Sequence, residues 1–197
     1  DTVTVGQLIG DSNAFLSAPI HSSVSGTVTA IEDFITAGGD KCKAVVITTD
    51  KLQTVCPDLT PPAVNSQKDL VAAARACGLV GLGGAGFPTH IKLNPKNLAD
   101  VDTLVINGAE CEPFITCDMR LMLDKTDSIV GGIRLVMKHL GLKTCVIGIE
   151  GNKPEAIEAM TKAVAGLENV SVLTMKACYP KGAEKVIIYE TTGRVVE

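Results

Sequence analysis

Short apolar runs alternate with turn residues over the first part of the chain. Val, Ile and Thr are concentrated at 3–5, 26–31 and 44–49, and runs of this composition predict strands. Gly38-Gly39-Asp40 lies between the second and third runs, where it predicts a hairpin turn. Residues 1–58 are therefore expected to form β-structure.

A proline cluster separates this region from a second pattern. Three prolines between positions 57 and 62 cannot continue a helix or a sheet interior, so a domain boundary is predicted between 58 and 59. Ser66 and Asp69 then resemble a capping box, and Gly78 follows an Ala-rich stretch. These signals predict a helix from about 66 to 77.

Strands and helices alternate in the remainder of the chain. Continuous apolar runs predict buried strands at 102–107, 143–149 and 170–174. Apolar residues near helical spacing predict helices at 117–125, 126–140, 153–165 and 182–189. Such an alternation predicts an α/β fold with a parallel, Rossmann-like sheet.

Composition narrows the class of protein. The 197 residues are 46% hydrophobic and 20% charged, which is typical of a globular chain with a core. The net charge of −4 gives no reason to expect nucleic acid as a partner. The sequence contains no run of about 18 apolar residues, so no membrane span is predicted. No signal peptide is visible. The abrupt start at Asp1 and end at Glu197 suggest a piece of a longer protein.

The cysteines indicate a reducing compartment. Seven cysteines are scattered along the chain, and an odd number without regular spacing is not typical of a disulfide framework. No Cys-x-x-Cys pair occurs, so neither a zinc site nor an iron–sulfur site is expected within this sequence.

A glycine-rich segment, residues 81–92, carries the first candidate chemistry. Five glycines between 78 and 86 leave backbone amides bare, and Lys92 follows as a cation. An anionic, flat ligand such as a nucleotide or flavin suits this loop, although a structural turn is the alternative.

Gly81-x-Gly83-x-x-Gly86 matches the dinucleotide fingerprint only formally, because a helix precedes it where the fingerprint needs a strand. Phe87 stands where a phosphate-binding Walker loop has lysine.

A second candidate segment, residues 107–114, follows a predicted strand end, where α/β sheets place ligand loops. Asn107 offers a donor and an acceptor. Glu110 and Glu112 share parity, so both could face one side of an extended backbone. Carboxylates accept hydrogen bonds from ribose or ribityl hydroxyls and repel a 2′-phosphate, which would favour NADH over NADPH. Two solvated surface acids are the alternative.

Together the two segments resemble a known family. Gly-Leu-Gly-Gly-Ala-Gly-Phe-Pro-Thr-His-Ile-Lys with Asn-Gly-Ala-Glu-Cys-Glu-Pro-Phe-Ile-Thr-Cys-Asp is similar to the C subunit of Rnf electron transport complexes. It is similar, more distantly, to the FMN- and NADH-binding subunit of respiratory complex I. The resemblance covers essentially the whole chain. It implies a partial barrel-sandwich (lipoyl-like) domain at 1–58 and a Rossmann-like FMN/NADH-binding domain at 59–197, truncated at its C-terminal end.

The predicted β-structure at 1–58 raises one alternative function, that of a biotinyl or lipoyl carrier. Residues 18–28 resemble a half-motif of biotinyl and lipoyl carriers, and Lys41 and Lys43 lie in the predicted hairpin. The carriers' signature around the modified lysine is absent, so a solvated charged hairpin is favoured over a carrier role.

The resemblance also implies roles for individual residues. The implied FMN contacts are Gly81, Gly83, Gly84, Lys92, Asn107, Glu110, Gly182 and Glu184. The implied NADH contacts are Phe87 and Glu112. Asp118 and Arg120 match an element expected to form a structural ion pair. No catalytic side chain is expected, because the cofactors carry the chemistry.

The activity that the resemblance implies is electron entry. Hydride would pass between NAD(H) and FMN, and electrons would continue to [4Fe–4S] clusters, expected only in a C-terminal region absent here. Expected partners are the other Rnf subunits, including membrane subunits, with ferredoxin indirectly; the expected location is cytoplasmic, on the inner face of the cell membrane. The piece alone is expected to be inactive. The alternatives are a soluble carrier of this type serving another reductase, such as proline reductase, or a non-catalytic assembly module.

Overall fold

A computed structural model describes residues 1–82 and 86–196 of the chain. These residues fall into two compact units, Asp1–Pro95 and Lys96–Glu197. The boundary predicted between 58 and 59 lies inside the first unit, and it stays a prediction.

The first unit holds the antiparallel β-structure expected near the start of the chain. Its strands are β1 (Thr2–Val3), β2 (Leu8–Gly10), β3 (Ile20–His21), β4 (Gly26–Ile35) and β5 (Lys41–Thr49). One sheet has the order β1-β4-β5, and β2 pairs separately with β3. The hairpin between β4 and β5 is confirmed, with Gly39 at a φ of 89° in its turn.

The helix predicted after the prolines is α1 (Gln67–Ala76). Its N-cap Ser66 accepts a hydrogen bond from the Asp69 amide at 3.2 Å, and Asp69 accepts one from the amide of Asn65 at 3.1 Å. Gly78 ends this region at a φ of 66°, a conformation that glycine adopts without strain. A short helix, α2 (Thr89–Lys92), was not predicted, since four residues carry no measurable period.

The second unit is the parallel α/β structure that the alternation predicts, so the expected fold class is confirmed. A 3₁₀ turn at Leu98–Asp100 precedes β6 (Thr103–Gly108), α3 (Cys117–Asp124), α4 (Thr126–Leu140), β7 (Thr144–Glu150), α5 (Pro154–Val164), β8 (Val170–Met175) and α6 (Glu184–Thr192). The sheet order is β6-β7-β8, and both strand pairs are parallel.

Strand β7 is buried on both faces of this sheet. Cys145, Ile147 and Ile149 pack with apolar residues of α3, α4 and α5. Gly148 faces the other way, where a Cβ would lie 3.0 Å from the Cδ1 atom of Ile187 in α6. Helices on both faces explain why β7 reads as a continuous apolar run rather than an alternating one.

Among residues 1–82 and 86–196, none of the helices combines the length and the apolar character that crossing a membrane requires.

Candidate cofactor site

The glycine-rich segment lies in the first unit and is closed at its base by backbone hydrogen bonds. The Gly81 amide donates to the Phe87 carbonyl at 2.9 Å, and Val80 bridges to Pro88. Gly86 has a φ of 64°, and no atom of residues 1–82 or 86–196 lies within 4 Å of where its Cβ would be. The predicted contacts Gly83 and Gly84 lie outside the described residues.

The two side chains predicted at the end of this segment lie together. The Lys92 ammonium is 5.9 Å from the centroid of the Phe87 ring, within cation–π range. Phe87 keeps 38% of its surface exposed. His90, in α2, has a buried Nδ1 atom without a hydrogen-bond partner among the described residues.

The second candidate segment, residues 107–114, lies in the second unit, at the carboxyl end of β6. Asn107 donates from Nδ2 to the Gly182 carbonyl at 2.8 Å and accepts from the Ala109 amide at 3.2 Å. A Cβ at Gly182 would lie 3.4 Å from the Ala109 carbonyl oxygen. The structure therefore brings together Asn107 and Gly182, which are 75 residues apart in sequence.

Glu110 is buried rather than open. Its side chain is 1% exposed, and its carboxylate accepts hydrogen bonds from the Asp118 and Met119 amides at 2.7 and 3.1 Å. The Lys153 ammonium lies 3.5 Å from Oε2. Glu110 thus caps the N-terminus of α3, where unpaired amides favour a carboxylate. Its predicted contact with FMN stays a prediction, and the structure shows a bracing role.

Glu112 is exposed, and its charge affects the pKa of the nearby Asp118. Burial raises the pKa of Asp118, and the charges of Glu110 and Glu112 raise it further. The expected ion pair between Asp118 and Arg120 is wrong, because Arg120 pairs with Asp124 at 2.7 Å. Residues two apart point away from each other on a helix, whereas residues four apart are neighbours.

Ligand atoms of Glu110, Cys117 and Asp118 lie within 4.8 Å of one another. Cys117 and Asp118 begin α3, and Glu110 caps that helix, so the cap itself accounts for this grouping. The expectation that no metal is bound stays an expectation.

Glu184 lies in the first turn of α6 and is exposed. The sequence reasoning missed two further residues, Glu150 and Lys153. They line a cavity with Glu110 and Glu112 beyond the carboxyl end of β7. The available signal was an acidic residue directly after the apolar run Val-Ile-Gly-Ile, since sheets of this class bind ligands outside the carboxyl ends of their strands.

Two family models match the chain. The model described as "Nuo51 FMN-binding domain" matches residues 74–197, which include both candidate segments. The model described as "RnfC Barrel sandwich hybrid domain" matches residues 1–52.

Curated relatives match over almost the whole chain. The C subunit of the Na(+)-translocating ferredoxin:NAD(+) oxidoreductase complex of Acetobacterium woodii is 44% identical, with 100% of this chain and 45% of that protein covered. The proton-translocating counterpart of Clostridium ljungdahlii is also 44% identical, with 100% and 43% covered. The C subunit of the ion-translocating oxidoreductase complex of Rhodobacter capsulatus is 39% identical, with 98% and 38% covered. The chain thus spans less than half the length of these relatives.

A solved structure is similar at the level of fold. It is the crystal structure of an NAD⁺-reducing [NiFe]-hydrogenase in the H₂-reduced state, with a TM-score of 0.50 and 22% identity. The similarity covers 66% of this chain and 26% of that one.

Proposed function

The chain belongs to the family of Rnf complex C subunits, and on that premise we propose that it is the electron-entry module of an ion-translocating oxidoreductase. In this proposal its residues hold FMN and a nicotinamide nucleotide. Electrons leave toward iron–sulfur clusters elsewhere in the protein, and other subunits of a membrane complex are the partners. The observation that carries the proposal is that both candidate segments fall within one FMN-binding family match.

The residues present suit FMN. Backbone amides of a glycine-rich loop and a lysine ammonium such as that of Lys92 are groups that bind phosphate. Asn107 uses one of its two N–H donors on Gly182, so a second donor remains for the polar edge of a flavin. Bound FMN would supply two-electron exchange with a nicotinamide ring and one-electron exchange with clusters.

Four side chains have distinct proposed tasks. Lys92 neutralises the phosphate, and the partly exposed Phe87 stacks on the nucleotide. Glu112 presents an exposed carboxylate to ribose hydroxyls. Glu110, whose oxygens are bonded to α3, is proposed to hold the shape of the loop. None of these residues needs to transfer a proton.

Equilibrium dialysis of FMN against the natural full-length protein tests the proposal. Lys92→Ala should weaken FMN binding about 10- to 100-fold, because a charge-assisted contact with phosphate is lost. Lys68→Ala is the matched control, since Lys68 is an exposed lysine of the same unit, and it should leave FMN binding unchanged. Absence of FMN binding by the wild-type protein, or equal affinity in Lys92→Ala, would contradict the proposal and favour an assembly role.

A further inference from the structure

A cavity of about 370 Å³ lies beyond the carboxyl ends of β6 and β7, and the proposed roles above leave most of it unused. Its lining includes Glu110, Glu112, Glu150, Asn152 and Lys153. This volume can hold a ring the size of nicotinamide, and it lies where sheets of this class place ligands.

Glu150 is the feature of this cavity that the fold does not explain. It is the last residue of β7 and is 1% exposed, yet its Oε2 atom is buried without a hydrogen-bond partner in the described part of the chain. Buried carboxylate oxygens are normally hydrogen-bonded, because desolvating a charge without a partner is costly. Glu110 in the same lining follows that rule, since both of its oxygens accept amide hydrogen bonds. Glu150 therefore has one acceptor oxygen that no donor in the described part of the chain fills.

The charges of the lining restrict what the ligand can be. Three carboxylates, Glu110, Glu112 and Glu150, stand against the ammonium of Lys153. An anionic group would be repelled, whereas a group with N–H donors would be attracted. Lys153 has three N–H donors, of which the ion pair with Glu110 occupies one. The cavity thus suits a neutral group that both donates and accepts, and a primary carboxamide is such a group.

We infer that Glu150 selects the carboxamide of the nicotinamide ring by accepting a hydrogen bond from its N–H₂ group, while Lys153 donates to its carbonyl oxygen. The inference rests on the proposed function, in which Glu112 of the same lining contacts the nicotinamide nucleotide. The proposed flavin contacts Asn107 and Gly182 are not among the described residues that line the cavity. The nicotinamide end of the substrate is therefore assigned to it, and the flavin is not.

The test compares two dinucleotides that differ only in this group. 3-Acetylpyridine adenine dinucleotide keeps the carbonyl oxygen but has a methyl group in place of the N–H₂. Equilibrium binding of NAD⁺ and of this analogue is measured on the natural full-length protein loaded with FMN. The wild-type protein should bind NAD⁺ about tenfold more tightly, because the analogue leaves Glu150 without its donor.

Variants assign that preference to one side chain. Glu150→Leu and Glu150→Ala should each reduce the tenfold ratio of dissociation constants to about one, because neither side chain can accept a hydrogen bond. The control Glu158→Gln, which removes an exposed carboxylate from α5, should keep the wild-type ratio. If the wild-type protein bound both dinucleotides equally, the inference would be overturned. This comparison does not depend on whether any variant folds.

Two failures can be distinguished. A protein that binds FMN and both dinucleotides, with the same ratio in wild type and in both Glu150 variants, would refute the role of Glu150 and leave the proposed function intact. A wild-type protein that binds FMN but neither dinucleotide would overturn the nicotinamide part of the proposed function, and the inference with it.

Discussion

At the scale of single residues, burial separates two glutamates that the sequence presents alike. Glu110 and Glu112 lie two positions apart in one loop, and both were predicted to hold ligands. The loop turns Glu110 inward onto the first amides of α3, while Glu112 stays exposed. The acidic pair thus divides into a bracing residue and a residue available to a nucleotide.

Replacing Glu110 with Gln should destabilise the protein by about 2 kcal/mol, because two charge-assisted hydrogen bonds weaken and the Lys153 ammonium loses its counter-charge. Urea unfolding gives the free energy. The matched variant Glu112→Gln should change it by less than about 0.5 kcal/mol, as exposed substitutions usually do. If the two variants changed the free energy of unfolding equally, the cap that Glu110 forms on α3 would not be a specific source of stability.

At the scale of elements, the periods of the sequence predicted most of the helices and strands, but the short strands β2 and β3 and the helix α2 were not predicted. The positions of β6, β7, β8 and of helices α3 to α5 agree with the predictions to within about two residues. In these elements the apolar residues recur at a regular spacing, and turn or capping residues mark the ends. Helix α2 shows no such spacing, since it is four residues long.

The hairpin of β4 and β5 depends on a close approach at its open end. Gly26 has a φ of 155°, and a Cβ added there would collide with the carbonyl oxygen of Thr48 on the partner strand. Only glycine fits such a backbone contact, so this position is restricted by the pairing and not by local turn chemistry.

Gly26→Ala should therefore cost about 2 kcal/mol or more of unfolding free energy, since either β4 or β5 must shift. Thermal or urea unfolding measures the loss. Gly38→Ala, in the turn of the same hairpin, meets nothing nearer than 3.7 Å and should change stability by less than about 0.5 kcal/mol. A Gly26 variant as stable as the Gly38 variant would contradict this account of the pairing.

At the scale of the whole molecule, long-range polar contacts close the α/β unit. Arg194, after α6, forms a bidentate ion pair with Asp102, just before β6, at 2.7 and 2.9 Å. The hydrogen bonds from Arg194, and then the hydroxyl of Thr103, hold the pKa of Asp102 well below its ordinary value of 3.8. Residues 92 apart in sequence are thus joined.

This ion pair predicts a specific pH dependence. A carboxyl group whose pKa is lower in the folded state adds stability above its unfolded pKa, and it loses that contribution as the pH falls below it. Arg194→Gln should lower the urea midpoint at pH 7, and its difference from wild type should shrink as the pH falls below 3.8. Arg134→Gln, an exposed arginine of α4, should show no difference at either pH. A difference for Arg194→Gln that persists unchanged to pH 2 would rule out Asp102 as its source.

The sequence by itself determined the class of fold, the order of the elements and the two segments that carry the family resemblance. It could do so because period, caps and glycine positions are local properties of the chain. Only the tertiary structure decided that Asn107 meets Gly182, that Glu110 caps α3, and that Glu150 is buried with an oxygen that lacks a partner among the described residues. Those facts depend on which surfaces pack together, and spacing along one strand or helix does not contain that information.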